Sequence, residues 1–253
     1  MDPLQLFAYV FILVLGLVVG SFLNVVIYRY TTGESMVRPR SRCTSCGTFL
    51  RLWDLVPLFS FLLLGGECRY CGEKLSVRYP LVEAASGAIF LTCFHYLGVG
   101  PFFWKYIVLF SLLLVVSCID LEKQIIPNRF VLLIFTWILL WQLVYPELTA
   151  LSAVIGFFIG GVLFYIIAVL SKGGMGGGDV KLMAALGFAA GLPLVFFIFL
   201  LSFIGGAAVG ILLMALKKKG RKSPLPFGPF LAAAFFIVTF WGEQIWNWYF
   251  SFL

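Results

Sequence analysis

The stretch "SKGGMGGGDVKLMAALGFAAGLPLVFFIFLLSFIGGAAVGILLMALKKKGRK", residues 171–222, indicates what kind of fold this chain adopts. Between Lys181 and Lys217 it carries no charged residue. This run is too long for a single helix across a hydrocarbon core, which needs about 20 residues. Because the positive residues at both ends favour the same side of a membrane, we expect two crossings with a break at "GLP", residues 191–193. The first crossing is short, so we expect other helices to surround it.

The composition extends this interpretation to the whole chain. Its 253 residues are 62% hydrophobic and only 11% charged, with a mean hydropathy of +1.06. Backbone polar groups must be satisfied internally in lipid, and helices achieve this. We therefore predict an all-α polytopic membrane protein with about eight transmembrane helices. The expected spans are 7–28, 82–99, 101–119, 130–146, 148–171, 180–192, 194–216 and 227–249.

The distribution of positive charge predicts the orientation of these helices. If the N-terminus lies outside, the loops at 29–80, 120–129, 172–181 and 217–226 are cytoplasmic and hold seventeen of the 18 Lys and Arg residues. Cytoplasmic loops are the ones enriched in Lys and Arg. The net charge of +7 is thus explained by topology, and we expect the partner to be a lipid bilayer rather than nucleic acid. The sequence leaves the oligomeric state open.

The longest polar stretch contains two pairs of cysteines, Cys43 with Cys46 and Cys68 with Cys71. Two C-x-x-C pairs at about this separation are typical of a tetrahedral Zn²⁺ site. Two disulfides are the alternative, but a loop that faces the reducing cytosol favours thiolates. Four cysteine ligands leave no open coordination position, so we expect the zinc to be structural.

Two of the eleven acidic residues are candidates for catalysis, Asp120 and Asp179. Asp120 ends the third predicted span and Asp179 opens the sixth, which puts both at the cytoplasmic boundary of the membrane. A charged group at membrane depth is costly and often functional. The structural alternatives are a helix-capping role for Asp179 and an interfacial ion pair for Asp120. As a pair, two aspartates that share a proton can activate water and protonate a leaving amine, which is the chemistry of peptide hydrolysis.

The glycines before Asp179 fit such a site. Gly176, Gly177 and Gly178 carry no side chains, so an extended substrate backbone can approach the carboxylate closely. A phosphate-binding loop is disfavoured because no Gly-Lys-Ser/Thr follows and no strand precedes. We therefore predict a substrate-approach loop beside a membrane protease site.

Several segments together resemble the bacterial prepilin peptidases, the type IV prepilin leader peptidases of the GxGD aspartyl protease class. The resemblance covers nearly the whole chain. Besides the paired cysteines, it rests on "GSFLNVVIYR" (20–29), "RYPLVE" (78–83), "IDLEKQIIPN" (119–128), "GMGGGDVKLMAALG" (174–187) and "PFGPFLA" (226–232). The GxGD element is shared with other intramembrane aspartyl proteases, and the cysteine loop followed by "RYPLVE" narrows the choice.

The resemblance implies that Asp120 and Asp179 are the catalytic pair, in the bacterial inner membrane. Members of this family cleave the basic leader of type IV prepilins and pseudopilins after a glycine, at the cytoplasmic face. Many also N-methylate the new N-terminus with S-adenosylmethionine, an activity associated with the cysteine loop. The resemblance also implies three domains: a first transmembrane helix (1–28), a cytoplasmic zinc-binding domain (29–80) and a protease membrane domain with about seven helices (81–253).

Two other functions compete with this one. A peptidase of the same class without methyltransferase activity would leave the cleaved pilin unmethylated. An ion-coupled transporter would use Asp120 and Asp179 to bind protons or cations, since broken, glycine-rich helices beside carboxylates also occur in transporters. The transporter hypothesis offers no account of the four-cysteine loop.

Overall fold

The computed structural model describes residues 2–35, 40–171, 174–216 and 225–251. Over these ranges the chain is helical and forms no strand, only two isolated β-bridges. The elements in chain order are α1 (Pro3–Thr32), a 3₁₀ turn (Leu52–Leu55), α2 (Phe59–Leu63), α3 (Arg78–Leu97), α4 (Pro101–Lys123), α5 (Asn128–Val144), α6 (Ala150–Leu170), α7 (Gly177–Ala190), α8 (Leu194–Ala215) and α9 (Gly228–Phe250).

The prediction of an all-helical membrane protein is confirmed, and each of the eight predicted spans corresponds to a helix. Within the described ranges, six helices are long and apolar enough to cross a membrane: α1, α3, α4, α6, α8 and α9. The other two are shorter, with 17 residues in α5 and 14 in α7. Eight crossings with the N-terminus outside therefore remain a prediction, and the basic segment 217–222 lies outside the described residues.

The predicted break at residues 191–193 is confirmed. Helix α7 ends at Ala190 and α8 begins at Leu194. Gly191 has a φ of 63°, in the left-handed region that favours glycine. Its N–H donates to the carbonyl of Gly187 and so closes the last turn of α7.

The chain divides into two compact units, Met1–Val115 and Val116–Leu253, with the boundary inside α4. In the first unit α1 packs against α3. A Cβ on Gly16 would lie 2.8 Å from Phe90 Cβ, and one on Gly20 would lie 2.7 Å from Glu83 Cα. These two glycines let the helices approach closely, as small residues do in membrane helix pairs. The three functional domains predicted from the sequence remain a prediction.

In the second unit α7 packs against α5, α6, α8 and α9. Its residues 182–188 are all buried, so other helices surround this short segment as expected. The closest approach is to α6, where a Cβ on Gly156 would collide with the carbonyl oxygen of Gly187. Enclosure by protein explains how a helix of about 20 Å is accommodated at membrane depth.

Candidate active site

Asp120 lies in the last turn of α4 and only 4% of the residue is exposed. The backbone N–H of Gly228 donates a hydrogen bond of 2.8 Å to its Oδ2. Gly228 is the first residue of α9, where the N–H has no partner within the helix. A Cβ at this position would lie 3.0 Å from the same carboxylate oxygen. The start of α9 thus holds the Asp120 side chain in one orientation, and glycine leaves room for it.

Asp179 is the third residue of α7 and is half-buried. Its Oδ2 accepts a hydrogen bond of 3.2 Å from the N–H of Gly176, so the carboxylate reaches back to cap its own helix. The helix-capping role that the sequence offered as an alternative for Asp179 is therefore present in the structure. Its Oδ1 is buried and accepts no hydrogen bond within the described part of the chain. One oxygen positions the side chain, and the other is left for a water molecule or a substrate.

Ile126, in the loop between α4 and α5, lies between the two aspartate-bearing segments. A Cβ added to Gly178, the residue before Asp179, would lie 2.7 Å from the Cβ of Ile126. A Cβ added to Gly228, whose N–H donates a hydrogen bond to Asp120, would lie 3.4 Å from the Cδ1 of Ile126. Ile126 therefore contacts both the residue that precedes Asp179 and the residue that bonds Asp120. The structure thus brings together the two residues that the sequence singled out.

The glycines of the predicted substrate-approach loop have different surroundings. Gly178 needs to be glycine because of Ile126, as the contact above shows. A Cβ on Gly176 would lie 3.1 Å from Asp179 Oδ2. Gly177 is exposed, and a Cβ there would meet nothing within 4 Å among the described residues. Substrate approach remains a prediction for all three glycines. At Gly177 the described neighbours leave room for a side chain, so packing within the protein does not explain why this residue is glycine.

Gly228 and Ile126 are site residues that the sequence alone does not single out. Both lie in segments that carried the family resemblance, "PFGPFLA" and "IDLEKQIIPN". Their roles depend on contacts between distant parts of the chain, 108 residues apart for Asp120 and Gly228.

The same edge of the unit holds a hydrogen bond of 2.9 Å from Lys181 Nζ to Asn128 Oδ1, which links α7 to α5.

The four predicted metal ligands form one cluster in the first unit. The Sγ atoms of Cys43, Cys46, Cys68 and Cys71 all lie within 4.8 Å of one another, and none is in a disulfide. Each C-x-x-C pair sits in a tight turn that ends in a glycine with positive φ, 72° at Gly47 and 71° at Gly72. The two turns have the same hydrogen bonds: each glycine N–H donates to the carbonyl of the first cysteine of its pair.

The geometry of this cluster suits a tetrahedral thiolate site. With Zn–S bonds of about 2.3 Å, neighbouring sulfurs in a tetrahedron lie about 3.8 Å apart. The Cys43 and Cys71 Sγ atoms are 3.9 Å apart. The four residues therefore fit a single metal ion better than two separate disulfides.

Asp54 links the cysteine turns to the 3₁₀ turn. Its Oδ1 accepts a hydrogen bond of 2.8 Å from Arg69 Nε, and its Oδ2 accepts bonds from Tyr70 OH at 2.8 Å and Arg51 N at 3.0 Å. Burial opposes ionisation of this carboxyl group, but the three hydrogen bonds and the Arg69 charge outweigh it and lower the pKa of Asp54. Asp54 thus anchors the second cysteine turn.

Comparisons with known proteins agree with these features. Residues 14–97 match the bacterial peptidase A24 N-terminal domain, and residues 107–211 match the type IV leader peptidase family. A Bacillus subtilis protein named prepilin leader peptidase/N-methyltransferase is 30% identical over 236 residues, which cover 93% of this chain and 95% of that relative. Proteins of the same name from Pseudomonas putida and Pseudomonas aeruginosa are 34% and 33% identical. These alignments cover 92% and 95% of this chain, and 90% and 92% of the relatives.

No solved structure matches this chain. The two matched domains follow each other along the sequence, and the relatives are similar over nearly their whole length. The chain therefore belongs to the type IV leader peptidase family.

Proposed function

We propose that this protein cleaves the leader peptide of type IV prepilins or pseudopilins with Asp120 and Asp179, and then N-methylates the new N-terminus. The observation that carries the proteolytic part is the convergence of two aspartates from separate apolar helices around Ile126. The names of the relatives support both activities for this family.

Asp120 and Asp179 act as a pair in the proposed reaction. One carboxylate takes a proton from the attacking water while the other protonates the leaving amine of the scissile bond. The N–H of Gly228 keeps Asp120 oriented. The Oδ1 of Asp179, which accepts no hydrogen bond from the described residues, offers an acceptor to the water. Because two neighbouring carboxyl groups titrate together, the pair rather than either residue determines the protonation state of the site.

The proposed location of the reaction is the cytoplasmic face of the bacterial inner membrane. Lys123, Arg129 and Lys181 flank the two aspartates in sequence, and cytoplasmic ends of membrane helices are enriched in such residues. A prepilin whose basic leader stays in the cytoplasm would place its scissile bond at this level. Its apolar segment would remain in the lipid.

We further propose that the four-cysteine cluster holds one structural Zn²⁺. The thiolate donor set and the sulfur separations support this assignment. When bound, zinc supplies folding energy to a loop whose described residues include few buried apolar side chains, and the four protein ligands leave no position for a substrate.

The test is the incubation of the purified chain with a prepilin and S-adenosylmethionine, followed by mass spectrometry of the pilin. We expect loss of the leader and a mass gain of one methyl group on the new N-terminus. A cleaved but unmethylated product would show a peptidase without methyltransferase activity. An intact prepilin, together with ion flux into vesicles that contain the protein, would favour the transporter alternative.

A further inference from the structure

The cysteine loop contains an apolar segment, "LWDLVPLFSFLLL" at residues 52–64, that the proposed peptide hydrolysis does not use. The segment forms the 3₁₀ turn and α2, which pack against each other. Five of its large apolar side chains are 61–85% exposed, namely Leu52, Trp53, Phe59, Leu62 and Leu63. We name these five residues the loop's apolar face. A cluster of exposed apolar side chains marks a surface that contacts a membrane or another protein.

The side chains on α2 separate into two sides. Phe59, Leu62 and Leu63 follow the i, i+3, i+4 spacing that places residues on one side of a helix. Phe61 packs toward the second cysteine turn, since a Cβ on Gly66 would lie 3.0 Å from its Cζ. Phe61 therefore helps to hold α2 against the loop, while the apolar face stays exposed.

Glu83 fixes the level of α2 along the membrane helices. Its Oε2 accepts a hydrogen bond of 2.8 Å from the N–H of Leu58, the residue directly before α2. Glu83 itself packs against α1 at Gly20, where an added Cβ would lie 2.7 Å from Glu83 Cα. Gly20 is 12 residues before Thr32, the last residue of α1, which is about 18 Å along the helix. The start of α2 is therefore level with the interior of α1 and not beyond its end.

The membrane helices expose apolar side chains at this same level. Phe22 on α1 and Leu81 on α3 are 62% and 63% exposed, and both helices are long and apolar enough to cross a membrane. Side chains exposed at this depth of a membrane helix contact lipid. The loop's apolar face adds to that lipid-facing surface, and it includes Trp53, a residue type enriched where a membrane meets water.

The backbone of the segment is also prepared to leave water, because its polar groups have partners. The N–H groups of Ser60, Leu62 and Leu64 each donate to the carbonyl four residues earlier. The Glu83 carboxylate accepts from the N–H of Leu58, ahead of the first turn. Backbone donors without partners would make insertion into a bilayer costly, and these hydrogen bonds remove that cost.

The charge of the loop favours an anionic surface. Residues 29–80 carry eight Lys and Arg against four Asp and Glu. Two of the acidic residues already form ion pairs, Glu34 with Arg42 and Asp54 with Arg69. Arg51 directly precedes the apolar face and is exposed. Basic residues next to a membrane are attracted to the anionic lipids of the cytoplasmic leaflet.

We infer that the loop's apolar face docks the cysteine loop onto a bilayer that contains anionic phospholipid. The five side chains insert at the boundary between head groups and acyl chains, and Arg51 meets the head groups. With the orientation proposed above, the leaflet is the cytoplasmic one. Asp54 lies within the docked segment and bonds Arg69 and Tyr70, between the second pair of cysteines. Docking therefore holds the four-cysteine cluster at the membrane surface.

The experiment places a genetically encoded dansyl amino acid at Leu62 of the full chain. The protein is reconstituted, one chain per disc, into nanodiscs of phosphatidylethanolamine and phosphatidylglycerol. We expect lipids with brominated acyl chains to quench this probe about as strongly as a probe at Phe22. Aqueous iodide should quench it about fivefold less than a probe at Glu73, an exposed charged residue of the same loop that serves as the matched control.

A second measurement tests whether the apolar side chains cause the docking. With the probe at Trp53, the double change Leu62→Asp and Leu63→Asp should raise iodide quenching to the level found at Glu73, while circular dichroism shows wild-type helix content. Unchanged shielding of Trp53 in this folded variant would overturn the inference. If the variant does not fold, the probe at Leu62 in the otherwise unchanged chain decides.

The remaining outcomes of the Leu62 experiment separate lipid from other occupants. Iodide quenching at Leu62 as strong as at Glu73, with no effect of brominated lipid, would overturn the inference. Shielding that appears only after a prepilin is added would also overturn it and would assign the apolar face to the substrate. Since one chain per disc excludes a second copy, shielding by brominated lipid alone supports docking. Neither measurement requires cleavage or methylation, so failure of the proposed function would leave this result unaffected.

Discussion

Replacing Gly178 by alanine tests whether the packing at Ile126 positions the two aspartates. The added Cβ would lie 2.7 Å from Ile126 Cβ and 3.1 Å from the Ile126 carbonyl oxygen. Because carbon atoms in contact are normally 3.5–4.0 Å apart, the first turn of α7 and the loop that holds Ile126 must separate by about 1 Å. That displacement moves Asp179 away from Asp120, and a shift of this size at a catalytic site can cost about 100-fold in rate.

The assay is kcat for cleavage of a prepilin in detergent, measured together with the unfolding temperature. We expect Gly178→Ala to lower kcat by about 10- to 100-fold and to destabilise the protein by about 1–3 kcal/mol, as overpacking does. Gly210→Ala is the matched control. Its Cβ would lie 3.9 Å from its nearest neighbour, Leu225 Cδ2, so activity should not change. Wild-type kcat in Gly178→Ala would refute the idea that this contact sets the geometry of the pair.

Three further predictions concern the loop and the cysteine cluster. Gly177→Ala should leave the unfolding temperature unchanged and raise KM for prepilin by about threefold to tenfold, because only a substrate would meet the new methyl group. An unchanged KM would argue against substrate approach at Gly177. Cys68→Ser should lose the bound zinc, about one ion per chain by atomic absorption, while Cys93→Ser, a buried cysteine outside the cluster, should keep it. Asp54→Asn should destabilise the first unit by about 1–2 kcal/mol at pH 7, after allowance for the exposure of Arg69. Because the folded-state pKa of Asp54 is lowered, this difference should be constant above about pH 4 and vanish as the pH falls through that lowered pKa. A difference that grows on acidification would contradict the role given to Asp54.

The helices and the candidate site differ in how much of them the sequence predicts. Hydropathy locates the helices because lipid requires continuous apolar segments, and positive charge at both ends of residues 181–217 predicts the break at Gly191. Asp120 and Asp179 stand out because charged residues are rare in such segments. Gly228 and Ile126 do not, since their roles depend on partners 52 to 108 residues away in the sequence.

The packing around the short helix α7 is also only partly predictable from the sequence. Its 14 residues are too few for a typical span, and the sequence predicts only that other helices must surround it. The packing that achieves this uses glycines on both α6 and α7, Gly156 and Gly187, which lie 31 residues apart. A local pattern on either helix shows a small residue but does not identify its partner.

The most direct test of the aspartate pair is single-turnover cleavage of a prepilin by Asp120→Asn and Asp179→Asn. Each variant keeps the size of the side chain and removes the carboxylate. Glu122→Gln is the matched control, because Glu122 lies two residues from Asp120 on α4 and is exposed. We predict that each asparagine variant folds and loses at least about 10³-fold in the cleavage rate, while Glu122→Gln cleaves like the wild type. A folded Asp120→Asn or Asp179→Asn that cleaves at close to the wild-type rate would contradict the proposal that the two aspartates hydrolyse the peptide bond.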